Sequence, residues 1–196
     1  MNFITKSIDT ILNLRGEELT RKLIDGFSCR HNLEIDGYLR HRAVEFTLKS
    51  MTVTHLVFDG DSGLFVGYFA LTHKPLTFHV GGLSGSQKRR IERFSKLDPE
   101  TGTYTVSAFL IAQIGKNYMV DGGKLISGSD LIDLAKEELL VAKAKIGGQV
   151  VFVEMEHGNS KLAKFYTDNG FVLFGTRDDF ENGRPVTYDQ MFLFLK

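Results

Sequence analysis

The sequence of 196 residues has a single cysteine, no long apolar run and no net charge. Because Cys29 has no second cysteine to pair with, an internal disulfide is excluded, and a free thiol fits a reducing compartment. No apolar run approaches the ~20 residues that a membrane-spanning helix needs. The segment Met1–Asp9 carries an acidic residue and lacks the apolar core of a secretion signal. We therefore expect a soluble, cytoplasmic protein with no membrane partner.

Charge and composition limit the class of protein further. The 24 Lys and Arg residues are balanced by 24 Asp and Glu residues, so no global field attracts nucleic acid, and any such binding must come from a local patch. The 42% hydrophobic and 24% charged residues are typical of a globular protein. The length suits one compact domain, which we place over residues 1–196, with N-terminal helices in 1–50 and a sheet in 51–196.

The first part of the chain changes from helical to strand periodicity. Apolar residues at helical spacing predict one amphipathic helix or two short ones over 3–26, and a second helix over Ile35–Lys49. Two apolar segments, Val53–Phe58 and Leu64–Leu71, flank the turn residues Asp59–Gly63. This pattern predicts an antiparallel hairpin.

The second part alternates strands with helices, which indicates an α/β fold with a mixed sheet. The fully apolar Val150–Val153 is typical of a parallel strand that is buried on both faces. The other predicted elements are strands over Thr103–Ile114, Phe171–Gly175 and Tyr188–Leu195 and helices over Leu131–Lys145 and Ser160–Asp168.

A glycine-rich segment, Gly122–Asp130, joins a predicted strand to a long helix. Free N–H groups at the start of a helix attract phosphate, and Lys124 adds a positive charge. The segment has neither the spacing of a nucleotide-hydrolysing P-loop nor that of a dinucleotide-binding turn. An ordinary connection, with Ser127 or Ser129 as the helix cap and Asp130 in the first turn, explains it equally well.

The segment Asn159–Phe171 reads N-S-K-L-A-K-F-Y-T-D-N-G-F. Asn159 is a good N-cap, and Asn169–Gly170 provides the left-handed exit that glycine permits. Apolar residues at 162, 165 and 166 form one face. Packing alone does not require a tyrosine at position 166, where a leucine would also fill the space. A buried tyrosine has the further need of a hydrogen-bond partner for its hydroxyl.

In this order, the strand, the Gly-rich turn, the second parallel strand and the N…A..FY…GF helix resemble the GNAT superfamily of N-acetyltransferases. The resemblance implies a single α/β domain whose mixed central sheet contains a splayed parallel strand pair, with flanking helices. It also implies acetyl-CoA as co-substrate, with its pantetheine arm along Ala108–Lys116, entering where this strand splays from Val150–Val153. The implied acetyl-CoA contacts are Ile114, Gly115, Lys116, Gly123, Lys124, Ile126, Ser127, Gly128, Ser129, Asn159 and Ala163. The family loop usually reads Q/R-x-x-G-x-G/A, whereas this chain has Gly123 at the first position and Ile126 at the first glycine.

A narrower resemblance concerns Gly37–Ala43 and Val66–Leu71. These segments look like a bacterial GNAT branch that includes toxins of toxin–antitoxin pairs, which acetylate the amino group of aminoacyl-tRNA. It implies a small DNA-binding antitoxin as a partner, and a homodimer is left open. In that branch a basic helical segment precedes the cofactor strand, which implies tRNA contacts at Lys88, Arg89, Arg90 and Arg93. A solvated helix face, with Ile91 and Phe94 inward, is the alternative explanation.

Acetyl transfer to an amine requires a stabilised oxyanion and a proton for the departing thiolate. Backbone N–H groups near Ile114–Lys116 could polarise the thioester if the strand bulges there. Tyr166 is the candidate general acid, because a phenol of pKa ~10 is protonated at neutral pH. Glu154, Glu156 and His157 are candidate bases, although solvated strand-end polarity also explains them. The other histidines show no metal-ligand spacing, so we expect no metal.

Three functions remain open on the sequence alone. The first is an N-acetyltransferase of aminoacyl-tRNA. The second is the same chemistry on a small-molecule or protein amine. The third, which the altered loop makes plausible, is a degenerate acyl-CoA-binding or interaction module. Because no general base is obvious, the sequence favours an α-amine as the acceptor. Such an amine has a pKa of ~7.7–8.0, so part of it is already neutral at pH 7.

Overall fold

The computed structural model describes residues 2–181 and 183–196. Its strands are β1 (Phe3–Ser7), β2 (Val53–Asp59), β3 (Phe65–His79), β4 (Leu97–Asp98), β5 (Thr103–Lys116), β6 (Val150–Glu156), β7 (Val172–Glu181) and β8 (Arg184–Phe194). Its α-helices are α1 (Ile8–Asp25), α2 (Leu33–Gly37), α3 (Ala43–Leu48), α4 (Gly85–Ile91), α5 (Gly128–Ile146) and α6 (Ser160–Asp168). Over these residues one sheet of eight strands forms, in the order β1-β2-β3-β5-β6-β8-β7, with β4 paired to β5. The mixed α/β sheet predicted from the sequence is confirmed.

The chain forms two compact units. The first contains the described residues of Met1–Thr72 and Ile111–Val141, and the second contains His73–Leu110 and Ala142–Lys196. No helix in the described ranges is long and apolar enough to span a membrane.

The N-terminus of the first unit differs from the predicted helix over 3–26. Phe3–Ser7 forms β1 and pairs antiparallel with β2, from Phe3 opposite Asp59 to Ser7 opposite His55. Helix α1 begins only after Ser7, whose Oγ accepts from the N–H of Thr10 at 3.1 Å. Residues 3–7 pair with a distant strand although their local pattern favours a helix. This pairing cannot be predicted from a short window of sequence.

The predicted helix over Ile35–Lys49 is present in three pieces. Between α2 and α3, Tyr38–Arg42 forms a π-helical turn. The Tyr38 hydroxyl lies 2.8 Å from Thr52 Oγ1 and 3.0 Å from Thr54 Oγ1, so this turn is tied to the strand that follows it. The predicted hairpin is confirmed as β2 and β3, with Val53 opposite Leu71.

The core of the first unit is aromatic. Phe27 and Tyr68 are fully buried and pack edge to face with their ring centroids 5.1 Å apart. Gly115 of β5 lies against this pair. A Cβ added there would lie 2.5 Å from Ile35 Cγ2 and 3.2 Å from Tyr68 Cε1, so glycine allows the strand to approach the helices.

The second unit contains the predicted parallel strand pair. β5 and β6 pair at Phe109 with Val151 and at Leu110 with Phe152. β6 also pairs antiparallel with β8 along its whole length, from Val150 opposite Phe194 to Glu156 opposite Tyr188. The β7–β8 pairing shifts register between Leu173 and Gly175, and the intervening Phe174 packs on Phe78 with centroids 4.7 Å apart.

Candidate functional site

The start of α5 carries two unused backbone donors. Ser127 caps the helix: its Oγ accepts from the N–H of Asp130 at 3.0 Å, and the Asp130 carboxylate accepts from the N–H of Ser127 at 2.8 Å. Within the described ranges the N–H groups of Gly128 and Ser129 have no acceptor. Two free amides at the positive end of a long helix suit an anionic group.

Charge around this helix start is mixed. The hydrogen bonds from Ser127 and the nearby positive charge of Lys116 hold the pKa of Asp130 below its ordinary value. Asp130 therefore stays ionised and neutralises part of the local positive potential. Lys116 is half-buried, with its ammonium 5.7 Å from the centre of the Tyr118 ring, and Lys124 is exposed.

Gly123 and Ile126 are the two positions at which the loop departs from the pattern Q/R-x-x-G-x-G/A. Ile126 is 1% exposed, so its side chain is buried and does not project from the loop into solvent. Gly123 has a φ of +74°, and a Cβ there would lie 2.9 Å from Tyr118 Cδ1. The replacement of the usual glycine by Ile126 is thus compatible with an accessible loop.

The end of β5 is anchored by a residue that the sequence analysis did not single out. Asn117 is 1% exposed. Its amide donates to the carbonyls of Gly26 and Phe65, both at 2.9 Å, and its oxygen accepts from the N–H groups of Ser28 and Met119. No local pattern predicts these long-range partners. Ile114 and Lys116 are half-buried, and the bulge expected between them stays a prediction.

Helix α6 spans Ser160–Asp168 as predicted and carries Tyr166, with Asn159 Oδ1 accepting from the N–H of Leu162 at 3.1 Å and Gly170 at φ +89°. The Tyr166 ring is 5% exposed and contacts Phe165 and Phe171 at centroid distances of 5.2 and 5.6 Å. Burial raises the pKa of its phenol to about 12. Asn159 is exposed and Ala163 half-buried.

The Tyr166 hydroxyl makes no hydrogen bond to any residue of 2–181 or 183–196. In that same part of the chain, the fully enclosed side-chain polar atom without a partner is Thr47 Oγ1. The phenolic oxygen must therefore retain contact with solvent, although its ring is buried. A buried ring with an unpaired hydroxyl at the surface can donate a hydrogen bond to a bound molecule.

The three candidate bases differ in their surroundings. Glu154 accepts two bonds from Arg177, at 2.8 and 3.1 Å, and one from Gln190 Nε2 at 2.8 Å, so it is not the solvated strand-end carboxylate that was one expectation. Glu156 is exposed. His157 Nδ1 lies 2.7 Å from Oδ1 of Asp189, a residue that the sequence did not connect with it.

The basic residues near α4 divide into two groups. The Arg90 guanidinium lies 4.1 Å from the centre of the Phe194 ring and donates to the Leu195 carbonyl at 3.4 Å, so Arg90 ties α4 to β8. Arg89 and Arg93 are exposed and Lys88 is half-buried. These three form no ion pair within the described ranges. Ile91 is buried, as the amphipathic interpretation requires, whereas Phe94 is 38% exposed, so its predicted inward position was wrong.

Solved structures show what this fold resembles. AtaT in complex with acetyl-methionyl-tRNAfMet superposes with a TM-score of 0.61 at 14% identity, covering 96% of this chain and 95% of that one. A tyrosine-to-phenylalanine variant of KacT gives 0.62 at 19% identity, covering 96% and 95%. An AtaT variant bound to the C-terminus of the antitoxin AtaR and to acetyl-CoA gives 0.58 at 12% identity, covering 100% and 94%.

No protein-family model matches the chain, and no curated protein is similar to it in sequence. The structural likeness therefore concerns the fold, along nearly the whole length of the chain. The chain has the fold of these AtaT and KacT structures, and its mixed sheet with a parallel strand pair is the fold class that the resemblance of Asn159–Phe171 and the preceding strands predicted.

Proposed function

We propose that the protein is an acetyl-CoA-dependent N-acetyltransferase whose acceptor is the α-amine of an aminoacyl-tRNA. The observation that carries this proposal is Tyr166, with its buried ring and its unpaired, solvent-contacting hydroxyl. A hydrocarbon side chain would pack equally well, so a hydroxyl without a protein partner suits a hydrogen bond to substrate.

The start of α5 fits the pyrophosphate of acetyl-CoA. The N–H groups of Gly128 and Ser129 are the donors, and Lys116 supplies a positive charge. The carboxylate of Asp130 opposes an anion there, but it is already held by Ser127. The proposal assigns the other predicted contacts, Ile114, Gly115, Gly123, Lys124, Ile126, Asn159 and Ala163, to the same co-substrate.

The raised pKa of Tyr166 supports a role as a hydrogen-bond donor. A phenol with a pKa of about 12 keeps its proton throughout the neutral range. A thiolate, whose thiol has a pKa of ~8.5, is too weak a base to remove that proton completely. Tyr166 therefore acts as a hydrogen-bond donor to the departing sulfur, which takes its proton from solvent through the phenolic oxygen.

Two features favour aminoacyl-tRNA over a lysine side chain. An α-amine, with a pKa of ~7.7–8.0, is partly neutral at pH 7, whereas a lysine amine at ~10.4 is almost fully protonated. Lys88, Arg89 and Arg93 offer cations without an ion-pair partner in the described part of the chain, as phosphate contacts require. The AtaT complex contains an acetylated methionyl-tRNA, which supports the same acceptor class here.

The proposal includes a toxin role with an antitoxin partner. An AtaT variant toxin was solved with the C-terminus of the antitoxin AtaR, and a KacTA complex was solved with DNA. We expect growth arrest when the protein is expressed alone. Co-expression of a neighbouring reading frame that encodes a small DNA-binding protein should relieve it.

Titration calorimetry with acetyl-CoA and CoA, followed by a thiol-release assay, tests the proposal. The acceptors are bulk tRNA charged with labelled amino acids, free methionine and a lysine peptide. We expect acetyl-CoA binding and thiol release with charged tRNA. Absence of CoA binding would defeat the enzyme proposal, and binding without transfer to any acceptor would leave an acyl-CoA-binding module. Transfer to the peptide but not to charged tRNA would assign a different acceptor.

A further inference from the structure

His157 and Asp189 form a side-chain pair at the end of β6. His157 follows the last residue of that strand, and its N–H donates to the carbonyl of Thr187 on β8 at 3.0 Å. Its Nδ1 lies 2.7 Å from Oδ1 of Asp189. The Asp189 side chain is 11% exposed and the imidazole is 63% exposed. A nearly buried carboxylate thus holds an imidazole that reaches into solvent.

This contact fixes the chemistry of the ring. A carboxylate accepts hydrogen bonds and donates none, so Nδ1 must carry the hydrogen of the pair. In the neutral ring the lone pair then lies on Nε2, the nitrogen that Asp189 does not contact. Carboxylate-oriented imidazoles of this kind serve as general bases on unrelated folds.

Strand pairing does not require the side-chain contact. Backbone pairing already joins β6 to β8 from Val150 to Glu156, and the N–H of His157 extends it. Burying a carboxylate costs several kcal/mol unless it is paired, and a neutral asparagine would link the strands without that cost. An aspartate rather than an asparagine at position 189 is therefore better explained by its effect on the imidazole.

The pair also lies at the carboxyl end of a parallel strand. Ligands of sheets with parallel strands bind beyond the carboxyl ends of those strands, and His157 lies at that end of β6. The same short connection leads into α6, which carries Tyr166. Of the two other candidates, both on this strand, Glu154 is occupied by Arg177 and Gln190, and Glu156 is exposed with no side-chain hydrogen bond to orient it in the described residues.

We propose that His157, oriented by Asp189, is the general base that takes the proton of the acceptor amine. The proposal rests on the acetyltransferase function above. The amine nitrogen bonds to the acetyl carbon while one of its protons passes to Nε2, and the C–S bond then breaks. The sulfur leaves as a thiolate that solvent protonates through the Tyr166 hydroxyl, and the imidazolium returns its proton to solvent. His157 is the catalytic residue and Asp189 the positioning residue.

The elements that surround the pair carry several other charged groups. They are Glu154 and Glu156 on β6, Lys161, Lys164 and Asp168 on α6, Arg177, Asp178, Asp179 and Glu181 on β7, and Arg184 on β8. The Asp178 carboxylate accepts from Thr187 Oγ1 at 2.7 Å. Within residues 2–181 and 183–196, Asp189 is the group that hydrogen-bonds the imidazole.

The decisive variant is His157→Asn. Its amide can replace Nδ1 as the donor to Asp189, but it has no atom in the place of Nε2. Asp189→Asn keeps the shape of the partner and removes the charge that selects the tautomer. His79→Asn, at an exposed histidine of β3, is the matched control. Initial rates with acetyl-CoA and bulk charged tRNA are measured between pH 7 and 9, with acetyl-CoA affinity measured by calorimetry for each variant.

We expect His157→Asn to lower kcat/KM at pH 7 by about 10²–10³-fold, with acetyl-CoA affinity and melting temperature unchanged. The deficit should shrink above pH ~8, because the α-amine loses its proton without help there. Asp189→Asn should show the same trend with a smaller loss. Two outcomes would overturn the assignment of His157 as the base: kcat/KM of His157→Asn equal to that of the parental protein at every pH, or a loss of kcat/KM that is the same at every pH. In both cases the acetyltransferase function would stand. An inactive parental protein would instead refute the function on which the proposal rests.

Discussion

Tyr166 combines a packing role with a hydroxyl that has no hydrogen-bond partner in the described residues. Its ring contacts Phe165 and Phe171, and its hydroxyl contacts solvent. Tyr166→Phe should therefore leave the melting temperature and acetyl-CoA affinity unchanged, because the ring contacts remain. Turnover should fall by about 10²-fold or more, since the departing sulfur loses its donor. Thiol-release kinetics and calorimetry measure the two quantities, and a parental turnover would make Tyr166 a packing residue only.

His55 links stability to pH. It is 9% exposed, stacks on Phe69 with centroids 5.0 Å apart, and burial lowers its pKa from 6.5 to about 4. Below pH 6.5 the unfolded chain binds a proton at this histidine before the folded protein does. The stability contributed by neutral His55 is therefore complete above pH 6.5 and is lost as the pH falls toward 4.

This loss corresponds to at most about 3 kcal/mol. Urea unfolding followed by circular dichroism at pH 7, 6 and 5 measures it, and His55→Gln should flatten the dependence on pH. His41→Gln, at an exposed histidine, is the control and should leave the slope unchanged. An equally steep slope in His55→Gln would assign the pH dependence to other groups.

At the scale of elements, β5 and the N-terminal helices depend on close approach at Gly115. In Gly115→Ala the added Cβ would lie 2.5 Å from Ile35 Cγ2 and 3.3 Å from Phe27 Cζ. Because a packed aromatic core yields little, we expect a loss of about 1–3 kcal/mol in unfolding free energy. Thermal and urea unfolding measure it.

Gly175→Ala is the matched control for this change. Gly175 also lies in a strand, but an added Cβ would meet no atom within 4 Å. Its stability should stay within about 0.5 kcal/mol of the parental protein. Equal stability of the two variants would mean that β5 can shift away from the helices at little cost.

At the scale of the whole molecule, the net charge is zero, so RNA affinity must arise locally. Simultaneous replacement of Lys88, Arg89 and Arg93 by alanine should weaken binding of charged and uncharged tRNA alike. The slope of log affinity against log salt should fall by about 2–3, since each phosphate contact contributes roughly 0.7–0.9. Filter binding at several salt concentrations measures the slope.

The control for this experiment replaces Arg15, Lys145 and Arg184, exposed basic residues elsewhere on the chain. It removes the same charge and should leave the slope unchanged. If both triple variants lower the slope equally, the effect is one of net charge and α4 is not the RNA-binding element.

Elements with local signals could be predicted from the amino-acid sequence. Asn159 and Gly170 mark the ends of α6, the turn at Asp59–Gly63 marks the hairpin, and the apolar Val150–Val153 marks the buried parallel strand. Caps, turn residues and periodicity act within a few residues, so they can be read from one sequence.

Features that depend on distant partners could be recognised only in the folded structure. Phe3–Ser7 is a strand because it pairs with β2. Asn117 is buried because carbonyls and N–H groups of three separate segments form hydrogen bonds with its side chain. His157 contacts Asp189, which lies 32 positions further along the chain. Arg90, which the sequence presented as a possible RNA contact, packs on the ring of Phe194. These contacts form only when the sheet brings remote strands side by side, because the free energy of each depends on groups that no local window contains.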